Sequence, residues 1–176
     1  PTSAIVAHGA SSPVFLITPS TGYEIDQVLV DGTAIVLSTL VNRIYTFNNV
    51  TSARTISVSF RAISYTVTAS TGANGGISPS GAVSVDHGAS KAFTITPSTG
   101  YEIDQVLVDG VAIVLSTLVN RTYTFSNVTS ARTISVSFRA ITYTVTATAG
   151  LNGTISPSGA VSVDHGASKA FTITPS

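Results

Sequence analysis

The decapeptide YEIDQVLVDG occupies residues 23–32 and returns unchanged at residues 101–110, a shift of 78 positions. Around it, residues 19–98 match residues 97–176 at all but eight of 80 positions. Self-similarity at a fixed spacing is typical of repeat architectures. A unit of this length is longer than a solenoid turn and close to the size of a small self-contained domain. We therefore predict tandem repeat domains, each as long as this shift, arranged as beads on a string.

The repeat divides the chain into three parts. Residues 63–140 make one complete repeat. Residues 1–62 make an incomplete first repeat whose opening strands are missing, and residues 141–176 make the opening part of a third repeat. Because the chain contains no methionine, residue 1 is not a translation start, and we interpret the chain as a fragment or a processed product.

Alternation of apolar and hydroxyl-bearing residues predicts an all-β fold. In the complete repeat this alternation is clear over Tyr65–Ser70 and over Arg132–Phe138. Asn74-Gly75 and Asp109-Gly110 offer the positive φ angles of tight hairpin turns, and we expect a further strand over Ala112–Leu115. Seven or eight short strands, with turns about every 8 to 12 residues, favour a small sandwich, barrel or rolled sheet.

The alternation slips by one residue at Asp104-Gln105. Ile103 faces inward, but the next apolar pair is Val106 and Val108. An extra residue in one strand restores the register of the pair, so the sequence predicts a β-bulge here.

Composition excludes several classes of function. Charged residues make up only 9% of the chain, and its formal net charge is zero, so no net field attracts nucleic acid or an anionic membrane. The absence of cysteine excludes disulfides, thiolate metal sites and a cysteine nucleophile. No run of about 18 apolar residues occurs, so we expect no membrane insertion of this segment.

One group of residues resembles a hydrolase triad. Asp86, His87 and Ser90 supply the carboxylate, imidazole and hydroxyl that such a site needs. Adjacent side chains in a tight turn diverge, however, and the first repeat has Ala7 beside His8 where the aspartate would be. We therefore predict a turn, a protein that is not an enzyme, and no catalytic residue.

Metal binding by histidine is also unfavoured. His8, His87 and His165 occupy equivalent positions in successive repeats. A domain of this size is roughly 30 Å across, so one ion cannot collect side chains from a linear array of them.

Carboxylates and lysines offer two further kinds of chemistry. Glu102 and Asp104 share the outward face of one strand, with Asp109 in the following turn, and such carboxylates can bind calcium. No loop has the dense alternation of acidic and amide ligands typical of calcium sites, so pairing with arginine is favoured. An intramolecular amide bond from Lys91 or Lys169 is unfavoured, because the first repeat has no lysine there. We assign no cofactor-binding and no metal-binding residue, and expect no cofactor.

Two features bear on carbohydrate. Asn-X-Thr sequences in predicted exposed turns match the glycosylation acceptor pattern, although several arise by chance in a threonine-rich chain; they begin at Asn49, Asn120, Asn127 and Asn152. Exposed tyrosines would offer a sugar-stacking surface. Because Tyr65, Tyr101 and Tyr123 fall on inferred buried faces, core packing is favoured.

Five short runs follow one another in the complete repeat: ISPSG at 77–81, FTITP at 93–97, VLVDG at 106–110, YTFSNV at 123–128 and TISVSF at 133–138. This ordered set resembles the divergent internalin B-repeat family. The resemblance implies a compact β-rich fold similar to the β-grasp, in bacterial surface or secreted proteins whose repeats stand in tandem as stalks or spacers. It implies no catalytic residues.

We therefore predict a non-enzymatic structural repeat of an extracellular or cell-surface protein of a bacterium or archaeon. It would act as a stalk or spacer, or as the body of an extracellular fibre, with neighbouring repeats and other copies of itself as partners. One alternative is a filament subunit that polymerises head to tail by strand donation, because the first repeat lacks the opening strands that residues 142–176 carry. A second alternative is a module that binds cell-surface glycan.

Overall fold

The computed structural model describes residues 3–176, and its regular elements are β-strands and three-residue 3₁₀ helices. The prediction of an all-β fold is confirmed. The chain separates into two compact units. The first unit extends to Tyr65 and includes Asp86–Ala89, and the second contains Thr66–Val85 and Ser90–Ser176.

Five strands precede the complete repeat: β1 (Phe15–Leu16), β2 (Tyr23–Val30), β3 (Thr33–Ala34), β4 (Ile44–Tyr45) and β5 (Ile56–Ala62). They form a three-stranded antiparallel sheet of order β3-β2-β5 and a two-stranded ladder of β1 with β4. Two 3₁₀ helices, Leu37–Thr39 and Val41–Arg43, connect β3 to β4.

Eight strands make up the complete repeat: β6 (Ser64–Thr71), β7 (Gly75–Ser78), β8 (Gly81–Asp86), β9 (Lys91–Pro97), β10 (Tyr101–Val108), β11 (Val111–Ala112), β12 (Thr122–Phe125) and β13 (Arg132–Ala140). They form a five-stranded sheet of order β11-β10-β13-β6-β8 and a three-stranded sheet of order β12-β9-β7. One 3₁₀ helix, Leu115–Thr117, lies between β11 and β12.

Four strands follow: β14 (Thr142–Ala147), β15 (Gly153–Ser156), β16 (Gly159–Asp164) and β17 (Thr172–Pro175). β14 pairs with β16 and β15 pairs with β17, both antiparallel. These strands correspond by sequence to β6 through β9, displaced by one repeat.

Both sheets of the complete repeat contribute to one hydrophobic core. Val67, Val106 and Ile134 of the five-stranded sheet are completely buried, and so is Phe93 of the three-stranded sheet. The ring of Phe93 meets that of Phe125 edge to face, with 5.8 Å between their centroids. Hydroxyl side chains alternate with these apolar ones along each strand, as the sequence predicts.

The pairing of β6 with β13 is parallel, whereas the other strand pairs of known register are antiparallel in the part of the chain described. Its register runs from Arg132 opposite Val67 to Val136 opposite Thr71. The amide of Gly72 extends the ladder by donating to the carbonyl of Val136 at 2.9 Å. The first and last strands of the repeat are thus neighbours, which closes the repeat upon itself.

The predicted β-bulge is confirmed. The register of β10 against β13 shifts between Ile103 and Gln105, and the same shift separates Ile25 and Gln27 in β2. The Asp109-Gly110 hairpin is also confirmed: it joins β10 to β11, and Asp109 has a φ of 50°.

Two local predictions are wrong. Asn74 does take a positive φ of 70°, but the turn at Asn74-Gly75 leads from the five-stranded to the three-stranded sheet, so it is not a hairpin. The strand expected over Ala112–Leu115 ends at Ala112. The reason is local, because the amide and the hydroxyl of Thr117 both donate to the Val114 carbonyl, at 3.0 and 2.7 Å, and curl the chain into a 3₁₀ turn.

Truncating the Phe93 ring tests this core. We expect Phe93→Ala to lower the free energy of unfolding by about 3–5 kcal/mol, because it leaves a cavity at a fully buried position. The control is Val111→Ala, at a side chain 69% exposed, with an expected change within about 0.5 kcal/mol. Urea denaturation followed by circular dichroism measures both, and equal effects would contradict the assigned core.

Candidate functional site

The triad-like residues lie in a turn, as predicted. The amide of Ala89 donates to the carbonyl of Asp86 at 2.9 Å, and Gly88 has a φ of 77°. Among the residues that the structure describes, no hydrogen bond joins the side chains of Asp86, His87 and Ser90. The His87 ring instead faces Tyr65, whose hydroxyl lies 3.4 Å from Nδ1.

The most elaborate recurring arrangement in the chain is a junction between successive repeats. In the second unit, only Ile141 separates β13 from β14. Its amide donates to the carbonyl of Gly100 at 2.8 Å, and its carbonyl accepts from the amide of His165 at 2.8 Å. Both backbone groups of this connecting residue are therefore satisfied within the protein.

The first unit contains the same arrangement one repeat earlier. Ile63 is the only residue between β5 and β6. Its amide donates to the carbonyl of Gly22 at 2.8 Å, and its carbonyl accepts from the amide of His87 at 2.8 Å. Since the same bonds form at both positions, they are encoded in the repeat itself.

Aromatic side chains accompany both junctions. The centroids of Tyr65 and His87 are 5.9 Å apart with an interplanar angle of 46°, and those of Tyr143 and His165 are 6.0 Å apart at 43°. Each histidine therefore contributes its backbone amide to the connecting residue and its ring to the tyrosine that follows that residue.

Glycine is required opposite each histidine. Gly22 and Gly100 have φ angles of 81° and 82°, which side chains rarely adopt. A Cβ on Gly22 would lie 2.9 Å from Cδ2 of His87, and one on Gly100 would lie 3.3 Å from Nδ1 of His165. The absence of a side chain lets the imidazole approach the backbone.

The carboxylates considered for calcium are paired with arginine, as predicted. Glu102 accepts from Nε of Arg139 at 2.8 Å, and Asp109 accepts from Nε of Arg132 at 2.6 Å. Asp104 accepts a hydrogen bond from the hydroxyl of Ser137 at 3.3 Å. Within residues 3–176, no group of three or more histidine, aspartate or glutamate side chains is placed to hold a metal ion.

The Asp109 pair also fastens a hairpin. Oδ1 of Asp109 accepts from the amide of Thr133 at 2.8 Å, while the guanidinium of Arg132 lies 5.1 Å from the centroid of the Phe125 ring. In the first repeat, Asp31 and Arg54 make the equivalent ion pair at 2.6 Å. Such exposed pairs contribute under about 1 kcal/mol each, so we assign them a positioning role.

The residues considered for carbohydrate have mixed outcomes. Tyr65, Tyr101 and Tyr123 are half-buried, so the inference that they fall on buried faces is correct only in part, because one side of each ring reaches solvent. The four acceptor asparagines all lie in exposed turns with positive φ: Asn49, Asn120, Asn127 and Asn152. Their glycosylation and binding of glycan stay predictions.

Sequence reasoning missed the junction residues. It placed His87 in a turn but assigned no partner to its ring, and it gave Gly22 and Ile63 no role. The available signal was the recurrence of a histidine, a glycine and an isoleucine with the period of the repeat. Sequence spacing alone does not show that the three meet in space.

The described part of the chain has no helix of the length and apolarity needed to cross a membrane.

Substituting Gly22 tests the junction contact. Gly22→Ala and Gly32→Ala both introduce strain, because their φ angles are 81° and 79°, but an added Cβ at Gly32 meets nothing within 4 Å. We expect Gly22→Ala to lower the free energy of unfolding by about 1–3 kcal/mol more than Gly32→Ala does. Adding His87→Ala should remove most of that difference. Equal losses in the two single variants, measured by chemical denaturation, would rule out the proposed crowding.

Comparison with known families agrees with this arrangement. Residues 65–142 match the family model described as the divergent InlB B-repeat domain, which confirms the resemblance. The matched segment is as long as the period at which the sequence repeats. No curated protein and no solved structure matches the chain. The matched family is a repeat domain of surface proteins and is not an enzyme family. Residues 65–142 are therefore identified as a divergent InlB B-repeat domain.

Proposed function

We propose that the chain is a spacer segment of an extracellular surface protein of a bacterium or archaeon, in which B-repeats joined end to end hold a distal part away from the cell. The observation that carries this proposal is the junction. Its connecting residue, Ile141, is hydrogen-bonded on both sides to residues of the repeats that it joins.

Linker composition supports a stiff connection. Flexible linkers in proteins are rich in glycine and serine and leave their backbone groups to water. Here the connection is one β-branched residue between two strands, and its amide and carbonyl bonds are both 2.8 Å long. Bending at Ile141 would break these bonds and separate the Tyr143 and His165 rings. Successive repeats therefore resist reorientation, which is what a spacer requires.

The surface chemistry supports the same role. Charged groups are few, and the arginines at 54, 61, 132 and 139 each pair with a carboxylate of a neighbouring strand or turn. These charges are used within each repeat to hold strands and turns together. The recurrence of this pattern with the repeat means that adding repeats adds length without adding net charge.

Small-angle X-ray scattering tests the spacer role. For chains extended by further copies of residues 63–140, the largest dimension should increase by roughly 30 Å with each added repeat, the diameter expected for a domain of this size. A matched series with Gly-Ser-Gly-Ser inserted after each residue equivalent to Ile141 should lengthen less steeply. Growth with the square root of repeat number in the unaltered series, as in a flexible chain, would contradict the proposal.

A further inference from the structure

One strand edge is open in the first repeat although the equivalent edge is filled in the complete repeat. In the five-stranded sheet, β13 lies between β10 and β6. The equivalent strand β5 pairs with β2, and the sheet β3-β2-β5 ends there. An unpaired strand edge exposes backbone donors and acceptors that favour pairing with another strand.

A groove accompanies this open edge. It has a volume of about 550 Å³, and its lining includes Phe15, Phe47, Val50 and Ile56. The equivalent residues of the complete repeat are at most 2% exposed: Phe93, Phe125, Val128 and Ile134. The groove therefore corresponds to hydrophobic core that the opening strands enclose in the complete repeat.

The end of the chain carries strands with the sequence of those opening strands. β14 pairs on one side with β16, whereas its equivalent β6 lies between β8 and β13. Val145 of β14 is 41% exposed, although the equivalent Val67 is completely buried. β14 therefore presents an apolar side chain that β6 buries in the core.

We propose that β5 and the groove beside it bind the segment Thr142–Asp164 of a second copy of the chain. In this complex β14 of the second copy adds to β5 in parallel, and the sheet order becomes β3-β2-β5-β14-β16. The groove accepts the opening segment of a repeat, and in the chain of 176 residues a second copy supplies it. This inference goes beyond the spacer function, because it concerns association between chains.

The complete repeat specifies the register of this pairing. Arg132 opposite Val67 and Ser135 opposite Ser70 translate to Arg54 opposite Val145 and Ser57 opposite Thr148. Likewise, the bond from the amide of Gly72 to the carbonyl of Val136 becomes one from Gly150 to Val58.

A glycine–phenylalanine contact extends this register. The Phe138 ring covers Gly75 so closely that a Cβ there would overlap it. The equivalent pair in the complex is Phe60 with Gly153 of the second copy. Phe60 is 45% exposed, and this contact would cover its ring. Since the chain has no net charge, copies approach without long-range repulsion.

Disulfide trapping tests the register, because the chain has no cysteine of its own. Two full-length variants, Ser57→Cys and Thr148→Cys, are mixed under mild oxidation, and the mixed dimer is identified by its mass. We expect it to form at least tenfold faster than in a control mixture of Ser135→Cys with Thr148→Cys. Ser135 is the equivalent serine, but its strand edge is already occupied by β6. Equal rates in the two mixtures would overturn the proposal.

Sedimentation velocity over a range of protein concentrations tests association without cysteines. We expect dimers and longer species to increase with concentration, and Phe60→Lys to raise the concentration at half-association at least tenfold. The control, Val36→Lys, changes a side chain that is 67% exposed and does not line the groove, and it should leave association unchanged. A monomer at every concentration, or an equal effect of the two variants, would overturn the proposal.

Discussion

The parallel pairing of β6 with β13 is the interaction on which the rest of the structure depends. It joins strands from opposite ends of one repeat, and through it Val67 and Ile134 become completely buried in one core. A small domain is marginally stable, so enclosing the core on this side matters for the whole repeat. Where the opening strand is absent, as beside β5, the equivalent Ile56 is only half-buried.

The same pairing explains why the junctions are short. The last strand of a repeat and the first strand of the next are consecutive in the chain, with only Ile141 between β13 and β14. A chain that leaves a sheet and immediately begins another has no slack, so the residues around it must satisfy its backbone groups. Gly100 and His165 do so. The spacer function thus follows from how each repeat is closed, and self-association follows from a repeat left open.

Much of this fold follows from the sequence because it is local. Alternation predicts the strands, the slip at Asp104-Gln105 predicts the bulge, and Asp109-Gly110 predicts its hairpin. These features depend on backbone preferences within a few residues. The pairing of Glu102 and Asp109 with arginines was also within reach, because arginines follow at Arg132 and Arg139 in an adjacent amphipathic strand.

The remaining features depend on residues far apart in sequence. Nothing in the alternation of β6 shows that it joins β13, because a strand's pattern specifies its buried face and not its neighbour. The turn at Asn74 has the φ expected of a hairpin, yet its flanking strands enter different sheets. The approach of His87 to Gly22 likewise requires the path of the chain to be known. Family identification adds the surface-protein context, which these contacts do not contain.

Residue-resolved amide hydrogen exchange measured by NMR tests most directly the claim that β6 and β13 close the repeat. The amide of Gly72 is the informative probe, because its hydrogen bond to the carbonyl of Val136 exists only if the two strands lie side by side. The structure predicts slow exchange at Gly72, similar to that of amides within the core strands. Exchange at Gly72 as fast as in an unstructured chain, while the amides of β10 stay protected, would contradict it.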